Sequence, residues 1–281
     1  MGKLLKYEFK KSTIYFINLI LGGIAAAVLF FLGIKTLTGD EITPTNTPAE
    51  YPGIVFPVTI LLTTIIIVGI VIAFIFYVVR NYKNDLYRES SLLKFTLPID
   101  GKDFLNSKLI NIILWTIIID ISIFVGAFFI SKLLVPNINR DFINGLKAGL
   151  DMADINISHV IIIAIISWLQ SIFSLIMLYF SITLAKTIFK NSKSGIIWFL
   201  VYLVTASILA ITNYYINIFV PYRLEFFNRI QLVNKSVETL SKGPLPETLL
   251  SFNLASAGLY IVFALIFYFT TIYMLNNKTD F

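Results

Sequence analysis

Six long apolar runs separated by polar segments dominate the hydrophobic pattern of this chain of 281 residues. A hydrocarbon core of about 30 Å takes about 20 helical residues to cross, and each run is at least that long. Because backbone N–H and C=O groups inside lipid must be paired within the segment, such runs fold as helices. The pattern predicts an all-α integral membrane protein with one transmembrane domain over 1–281. The predicted spans lie near Ile14–Ile34, Ile54–Val79, Ile110–Ile130, Val160–Ile188, Gly195–Phe219 and Leu254–Leu275.

The segment before the first span, residues 1–13, mixes apolar and basic side chains. Leu4, Leu5, Tyr7 and Phe9 interleave there with four lysines. Such a segment suits the headgroup layer, so it is predicted to form an amphipathic elbow helix. The alternative is a plain basic flank that only sets the topology.

The connection between the second and third spans, residues 80–108, carries helix signals of its own. The second span is predicted to continue as helix through Leu86, and Pro98 then interrupts the pattern, since proline lacks the amide donor. Asp100 is a good N-cap, with Asp103 in the first turn. The sequence therefore predicts a short capped helix that leads into the third span.

Two of the remaining connections show helical periodicity and are predicted to form amphipathic extracellular helices. In the first, Phe142, Leu146 and Leu150 recur at helical spacing. The second, within 220–250, lies between Pro221 and Gly243. Its apolar positions are Leu224, Phe227, Ile230, Val233, Val237 and Leu240. Either helix could pack on the spans or form a lid.

Composition and charge agree with this topology. Hydrophobic residues make up 57% and charged residues 14% of the chain, and the net charge is +6. Fourteen of the 22 Lys and Arg residues fall in the segments predicted to be cytoplasmic, against eight in the outer loops, as the positive-inside rule requires. Both termini are therefore predicted to be cytoplasmic, and the positive charge is an orientation signal rather than a sign of nucleic-acid binding.

Several kinds of chemistry are excluded by what the chain lacks. There is no cysteine, and His159 is the only histidine, so a thiolate site or a zinc site with its usual ligand number cannot form. There is no G-x-x-x-x-G-K-[ST] loop, and no nucleophile with a base at one depth. We therefore expect neither an enzyme nor a cofactor or metal site in this chain.

Four polar side chains inside the spans are candidates for function. Asp120 lies near the middle of the third span, where an ionised carboxylate is costly, so it should face protein or water. It could be a proton or cation site, a contact to a cationic substrate, or a hydrogen-bonded packing residue. Asn18, Gln170 and Asn213 could line a pathway or join helices by hydrogen bonds.

Two segments together resemble a known family. The basic stretch LLKYEFKKS and the inner loop YRESSLLKFTLPIDGKDFLNSK, in a chain with six spans, look like the permease subunits of type-2 ATP-binding-cassette exporters. In that family the first inner loop carries a Glu-containing turn, a Leu-Pro pair and a short coupling helix. The residues that fall on those positions are Arg88, Glu89, Leu97, Pro98, Phe104, Leu105 and Lys108.

The resemblance implies an exporter half in the plasma membrane whose energy comes from separate cytoplasmic ATPase subunits, which hold the ATP and Mg²⁺. The inner loop would seat on that ATPase, and a second permease subunit, identical or paralogous, would complete the pathway in the lipid. Hydrophobic or amphipathic cargo is implied: a peptide or antibiotic, a drug or a lipid. Richness in Ile, Lys and Asn suggests a bacterial source. The alternative function is a gradient-driven secondary transporter that uses Asp120.

Overall fold

The structure is a computed structural model, and it describes residues 2–38, 52–87, 100–134, 157–189, 197–225, 231–234 and 251–277. Within these ranges it has six helices that are long and apolar enough to cross a membrane, as predicted. The helices are α1 (Gly2–Thr38), α2 (Pro52–Tyr87), α3 (Gly101–Leu134), α4 (Ile157–Ile188), α5 (Ile197–Phe219) and α6 (Leu254–Asn277).

Several helices are longer than the spans that the sequence predicted. The 37 residues of α1 correspond to about 55 Å at 1.5 Å per residue, well beyond a hydrocarbon core of about 30 Å. Large apolar side chains are exposed along the outer faces of the helices, for example Phe124 at 75% and Leu169 at 61%. Exposed apolar faces of this kind are what lipid solvates, so the protein is a multi-pass helical membrane protein.

The two short helices predicted next to the spans are helical but are not separate elements. Residues 2–13 belong to α1, which continues without a break into the first span, where no proline intervenes. The segment after Asp100 forms the first turns of α3. The predicted start of this helix is confirmed, because the Lys102 N–H donates to Asp100 Oδ1 at 3.2 Å. The predicted extension of the second span is also confirmed, since α2 ends at Tyr87.

The packing separates into two units, and α2 and α3 contribute residues to both. The first unit comprises 1–81 and 106–146, of which the described parts are α1 and most of α2 and α3. In it α1 contacts both of the other helices: the Tyr15 ring stacks on Tyr77 at 4.3 Å, and the Phe16 ring stacks on Trp115 at 5.0 Å. Small residues permit the close approach of α1 and α3, since a Cβ atom at Gly23 would lie 2.5 Å from Cδ1 of Ile123.

The second unit comprises 82–105 and 147–281. Its described helices α4, α5 and α6 share a small core of Met177, Leu209 and Phe267. The Phe180 ring stacks on Phe267 at 4.5 Å, so an aromatic contact joins α4 to α6.

A three-stranded antiparallel sheet lies in the second unit, where the sequence predicted an amphipathic helix. Strand β1 (Tyr222–Glu225) pairs with β2 (Gln231–Asn234) on one side and with β3 (Ser251–Asn253) on the other. Leu224 lies opposite Leu232 in the first pair and opposite Phe252 in the second.

The helix prediction over 220–250 is therefore wrong for 222–225 and 231–234, while 226–230 and 235–250 lie outside the described residues. The three-residue apolar spacing fits one helix face, but strands are stabilised by backbone pairing, and β3 is distant in sequence from β1. The predicted helix around Phe142 also lies outside the described residues.

Candidate functional site

The candidate site is the stem of the predicted cytoplasmic loop, meaning the end of α2 and the beginning of α3. The structure describes α2 to Tyr87 and resumes at Asp100. Four residues predicted to contact an ATPase, Arg88, Glu89, Leu97 and Pro98, lie in the intervening part, outside the described residues. The described stem makes three groups of buried or polar contacts, and each group lies within one unit.

The first group, the ion-pair cluster, lies in the first unit and consists of Glu8, Lys11, Asn81 and Lys108. Lys108 Nζ lies 2.7 Å from Glu8 Oε2, and the two side chains are 1% and 2% exposed. Asn81 Nδ2 donates to the same Glu8 oxygen at 3.5 Å, and Lys11 Nζ donates to Asn81 Oδ1 at 2.8 Å. The Asn81 amide thus connects a lysine to a carboxylate that is already paired, so the end of α2 and the start of α3 are both attached to α1.

The helix period explains how α1 presents these groups. Positions 8, 11 and 12 are three and four residues apart and share one face. Ser12, on that face, donates to the Glu8 carbonyl at 2.9 Å and lies 3.3 Å from Asn111 Oδ1, within hydrogen-bond distance. Asn111 is fully buried on α3. The polar contacts between α1 and α3 therefore extend over about one helical turn beyond the ion pair.

Three of the residues predicted to contact the ATPase are buried in the structure. Phe104, Leu105 and Lys108 are 4%, 1% and 1% exposed. Side chains with so little exposed surface contact their own chain and offer almost nothing to a soluble partner. In this structure Lys108 neutralises Glu8, a partner that sequence reasoning did not assign. One signal pointed to it, because Glu8 is the only acidic residue before Asp40 and lies among four lysines.

The second group, the tyrosine cluster, lies in the second unit and consists of Tyr82, Phe104, Tyr179 and Thr183. The rings of Tyr82 and Tyr179 stack at 4.1 Å, and the Phe104 ring lies 5.9 Å from that of Tyr82. Tyr82 Oη lies 2.8 Å from Thr183 Oγ1. Because Thr183 donates its own proton to the Tyr179 carbonyl at 2.8 Å, Tyr82 is the donor in this pair. The cluster joins the end of α2, the start of α3 and α4.

Tyr87, the last residue of α2, extends these contacts toward basic groups. Lys186 Nζ lies 4.9 Å from the centroid of the Tyr87 ring, and Lys83 Nζ lies 5.9 Å from it. Both distances are within the range of cation–π attraction. The end of α2 is thus further attached to α4.

The third group joins the start of α3 to the end of α6. The Gly101 N–H donates to Asn276 Oδ1 at 2.7 Å, and Asn276 Nδ2 donates to Asp100 Oδ1 at 3.0 Å. A Cβ atom at Gly101 would lie 2.5 Å from Asn276 Oδ1, so the contact requires glycine there. The hydrogen bond from Asn276, with that from the Lys102 N–H, holds the pKa of Asp100 below its usual value.

The four intramembrane polar residues do not come together with this stem. Asp120, Asn18 and Gln170 are exposed on the outer faces of their helices. Asn213 is half-buried, and its carbonyl accepts from Asn217 Nδ2 at 2.8 Å.

Sequence reasoning missed the polar group around Asn217. Its Nδ2 also donates to Ser256 at 3.1 Å, and its Oδ1 accepts from Arg223 Nη2 at 3.0 Å. The contact with Ser256 connects α5 to α6. The contact with Arg223 connects α5 to β1 and depends on the sheet that the periodicity did not reveal.

No group of three or more His, Asp or Glu side chains suited to a metal ion occurs among the described residues. Comparisons of the chain with protein-family models, with curated proteins and with solved structures found no match.

Proposed function

We propose that this chain is the membrane-spanning permease subunit of an ATP-binding-cassette exporter, driven by a separate cytoplasmic ATPase. Its cargo would be hydrophobic or amphipathic, a peptide or antibiotic, a drug or a lipid, and a second permease subunit would complete the pathway. The proposal draws on six apolar helices, on the absence of a phosphate-binding loop from the sequence and on the resemblance of the first inner loop.

The observation that carries the proposal is the attachment of both helix ends that flank the loop 88–99. Asn81 and Lys108 attach them to α1 in the first unit, while Tyr82 and Asn276 attach them to α4 and α6 in the second. Packed interiors with satisfied polar groups deform little and transmit displacement. A partner that moves the loop would therefore move the helices.

This arrangement divides the predicted coupling residues into two roles. Arg88, Glu89, Leu97 and Pro98, in the loop, are proposed to contact the ATPase. Phe104, Leu105 and Lys108 are buried and are proposed as positioning residues that hold the stem. Charged substitutions at Phe104 or Leu105 would disturb folding, so they cannot test docking.

The absence of cysteine makes a direct test possible. Leu97→Cys, labelled with a photoreactive benzophenone maleimide in membranes of the source organism, should form an adduct with a protein that contains a G-x-x-x-x-G-K-[ST] loop. Thr45→Cys, in the connection predicted to be external, is the matched control and should form no such adduct. Adducts from both positions or from neither would contradict the assigned docking loop.

Orientation is tested with the same background. Ser192→Cys, between the fourth and fifth predicted spans and therefore on the predicted cytoplasmic side, should react with a membrane-impermeant maleimide only after the membrane is opened. Thr45→Cys should react in intact cells. The opposite pattern would place the loop 88–99 outside, where no ATPase could reach it.

A gradient-driven transporter remains a second candidate because of one observation. Asp120 is an ionisable residue within the third span and belongs to none of the three groups of the stem. Ionisable residues inside spans commonly mark ion or substrate pathways. This candidate predicts transport without any ATPase and loss of transport in Asp120→Asn. The exporter predicts transport that requires ATP hydrolysis by the partner and stops when that ATPase is inactivated.

A further inference from the structure

We infer that the exposed basic face of α1, formed by Lys3, Lys6 and Lys10, binds the anionic headgroups of phospholipids. These three positions are three and four residues apart, so they lie in one row on the helix. All three side chains are exposed. The inference requires only that α1 crosses a bilayer, and it does not rest on the proposed exporter function.

The same face continues as an apolar surface. Ile14, Leu21 and Ile17 follow the lysines on the exposed side of α1, and Ile14 is 76% exposed. No break separates the two parts, since α1 is one helix from Gly2 to Thr38. The basic row and the lipid-facing row therefore belong to one surface, which makes a lipid a better occupant than a soluble acidic partner.

The dimensions place Lys10 at headgroup depth, with Lys6 and Lys3 just outside that layer. The apolar part of α1 from Ile14 to Ile34 extends over about 31 Å, close to the thickness of the hydrocarbon core. Lys10 lies one turn, about 6 Å, beyond Ile14 along the axis, and the headgroup layer on each side is about 5 to 8 Å deep. Lys6 and Lys3 lie about 12 and 16 Å beyond Ile14 along the axis. They are outside that layer but within a Debye length, about 10 Å, of its anionic surface, and their long side chains can extend toward it.

The buried ion pair makes this face purely cationic. Glu8 is the only acidic residue of the segment, and it points away from the row, where Lys108 neutralises it. Apart from Glu8, the only acid among the described residues of the first unit is Asp120, which lies within the third span. No carboxylate in that described part therefore competes with a phosphate group for Lys3, Lys6 or Lys10.

The test uses a single fluorescent label on the cysteine-free chain. Ile14→Cys is labelled and the protein is reconstituted in phosphatidylcholine liposomes that contain doxyl-labelled phosphatidylglycerol or doxyl-labelled phosphatidylcholine. Since a basic residue near an anionic surface contributes a factor of about five, the binding constant of phosphatidylglycerol at this site should exceed that of phosphatidylcholine about fivefold or more. In 1 M salt, where the Debye length is about 3 Å, the preference should largely disappear.

Two controls separate this face from the rest of the protein. The triple variant Lys3→Gln, Lys6→Gln, Lys10→Gln should remove the attraction of the three ammonium groups for anionic lipid. The ratio of the phosphatidylglycerol to the phosphatidylcholine binding constant, measured at Ile14→Cys, should then fall to about one. These side chains are exposed, so the variant should fold, which its melting temperature verifies. Leu133, near the C-terminal end of α3, is 81% exposed. A label at Leu133→Cys should report a ratio of the two lipid binding constants that the triple variant does not change.

Three outcomes would overturn the inference. Equal quenching by the two lipids at Ile14→Cys would show that the face has no anionic preference. An unchanged preference in the triple variant would assign it to other groups. Loss of the preference on addition of inorganic phosphate at constant ionic strength would show a site for free phosphate rather than for a lipid headgroup.

Discussion

Glu8 and Lys108 form a buried ion pair between the first turns of α1 and the start of α3, with 2.7 Å between Oε2 and Nζ. Taking two charges out of water is costly. The Asn81 amide, 3.5 Å from the same carboxylate oxygen, offsets part of that cost with a long hydrogen bond. Removing both charges together is often nearly neutral, whereas removing one leaves the other buried and unpaired. The pair therefore specifies how α1 and α3 meet more than it adds to stability.

A double-mutant cycle tests this relationship. Glu8→Gln should destabilise the protein by about 3 to 5 kcal/mol, because Lys108 would remain charged and buried. Glu8→Gln combined with Lys108→Met should recover most of that loss. The measurement is the melting temperature of purified protein in detergent, with the exposed Lys10→Gln as the control. If the losses of stability measured for Glu8→Gln alone and for Lys108→Met alone simply add in the double variant, the two residues do not form a pair.

The close approach of α1 and α3 at Gly23 leads to a second prediction. Gly23→Ala places a Cβ atom 2.5 Å from Cδ1 and 2.8 Å from Cγ1 of Ile123, so it should destabilise the unit. Overpacking of this kind costs about 1 to 3 kcal/mol. Adding Ile123→Ala should relieve the clash, because the Cβ of Ile123 lies at 4.0 Å, an ordinary contact distance.

Gly69→Ala is the matched control, since nothing lies within 4 Å of its added Cβ atom in α2. It should be neutral or stabilise the helix by up to about 1 kcal/mol, because alanine has the higher helix propensity. Equal melting temperatures for Gly23→Ala and Gly69→Ala would contradict the close packing of α1 on α3.

The tyrosine cluster predicts a graded response at Tyr82. Tyr82→Phe removes the hydrogen bond to Thr183 but keeps the ring stacked on Tyr179, so the loss should be about 1 kcal/mol. Tyr82→Ala also removes a fully buried ring and should cost about 3 to 5 kcal/mol. Tyr214→Phe, at a position that is 65% exposed on α5, should leave the melting temperature unchanged. A large effect of Tyr82→Phe alone would instead indicate a role beyond packing.

From the hydrogen bonds to Asp100 at the start of α3, we expect the stability of the protein to depend on pH in the acid range. Hydrogen bonds from Asn276 and from the Lys102 N–H lower the pKa of Asp100 in the folded protein. A carboxyl group of this kind stabilises the fold above its unfolded pKa, near 3.9, and the contribution is lost as the pH falls through the lower folded pKa. The effect therefore lies in the window below about pH 4.

Asp100→Asn is the informative variant, because asparagine still caps a helix but carries no titratable charge. At pH 6 it should melt at a lower temperature than the original protein, and the difference should shrink as the pH falls below about 4. Asn276→Ala should reduce the same difference. A gap that stays constant from pH 6 to pH 3 would show that the charge of Asp100 is not what these contacts stabilise.

Local sequence signals predicted part of the loop stem correctly. The helix start at Asp100 could be read from its capping side chain, and the extension of α2 to Tyr87 from continued helical spacing before the proline. Asn276 could not be assigned as the partner of Asp100, because its distance in sequence exceeds anything that a local pattern encodes.

The six apolar helices could be predicted from the hydrophobic runs alone, because crossing lipid requires long uninterrupted runs and each run must satisfy its own backbone hydrogen bonds. The composition and the absence of cysteine also follow directly from the sequence. The sheet formed by β1, β2 and β3 could not be predicted in this way. Apolar residues three positions apart suit a helix face, and the pairing partner β3 is remote in sequence from β1.

The directions of the charged and polar side chains depend on how the helices pack, which no local pattern encodes. The hydrophobic periodicity of a helix does not distinguish an exposed Lys108 from a buried one. Which of the two occurs depends on whether Glu8 of another helix lies within ion-pair distance. Burial and ion pairing result from how helices pack. For that reason Lys108 is buried beside Glu8, while Lys3, Lys6 and Lys10 lie on the exposed face of α1.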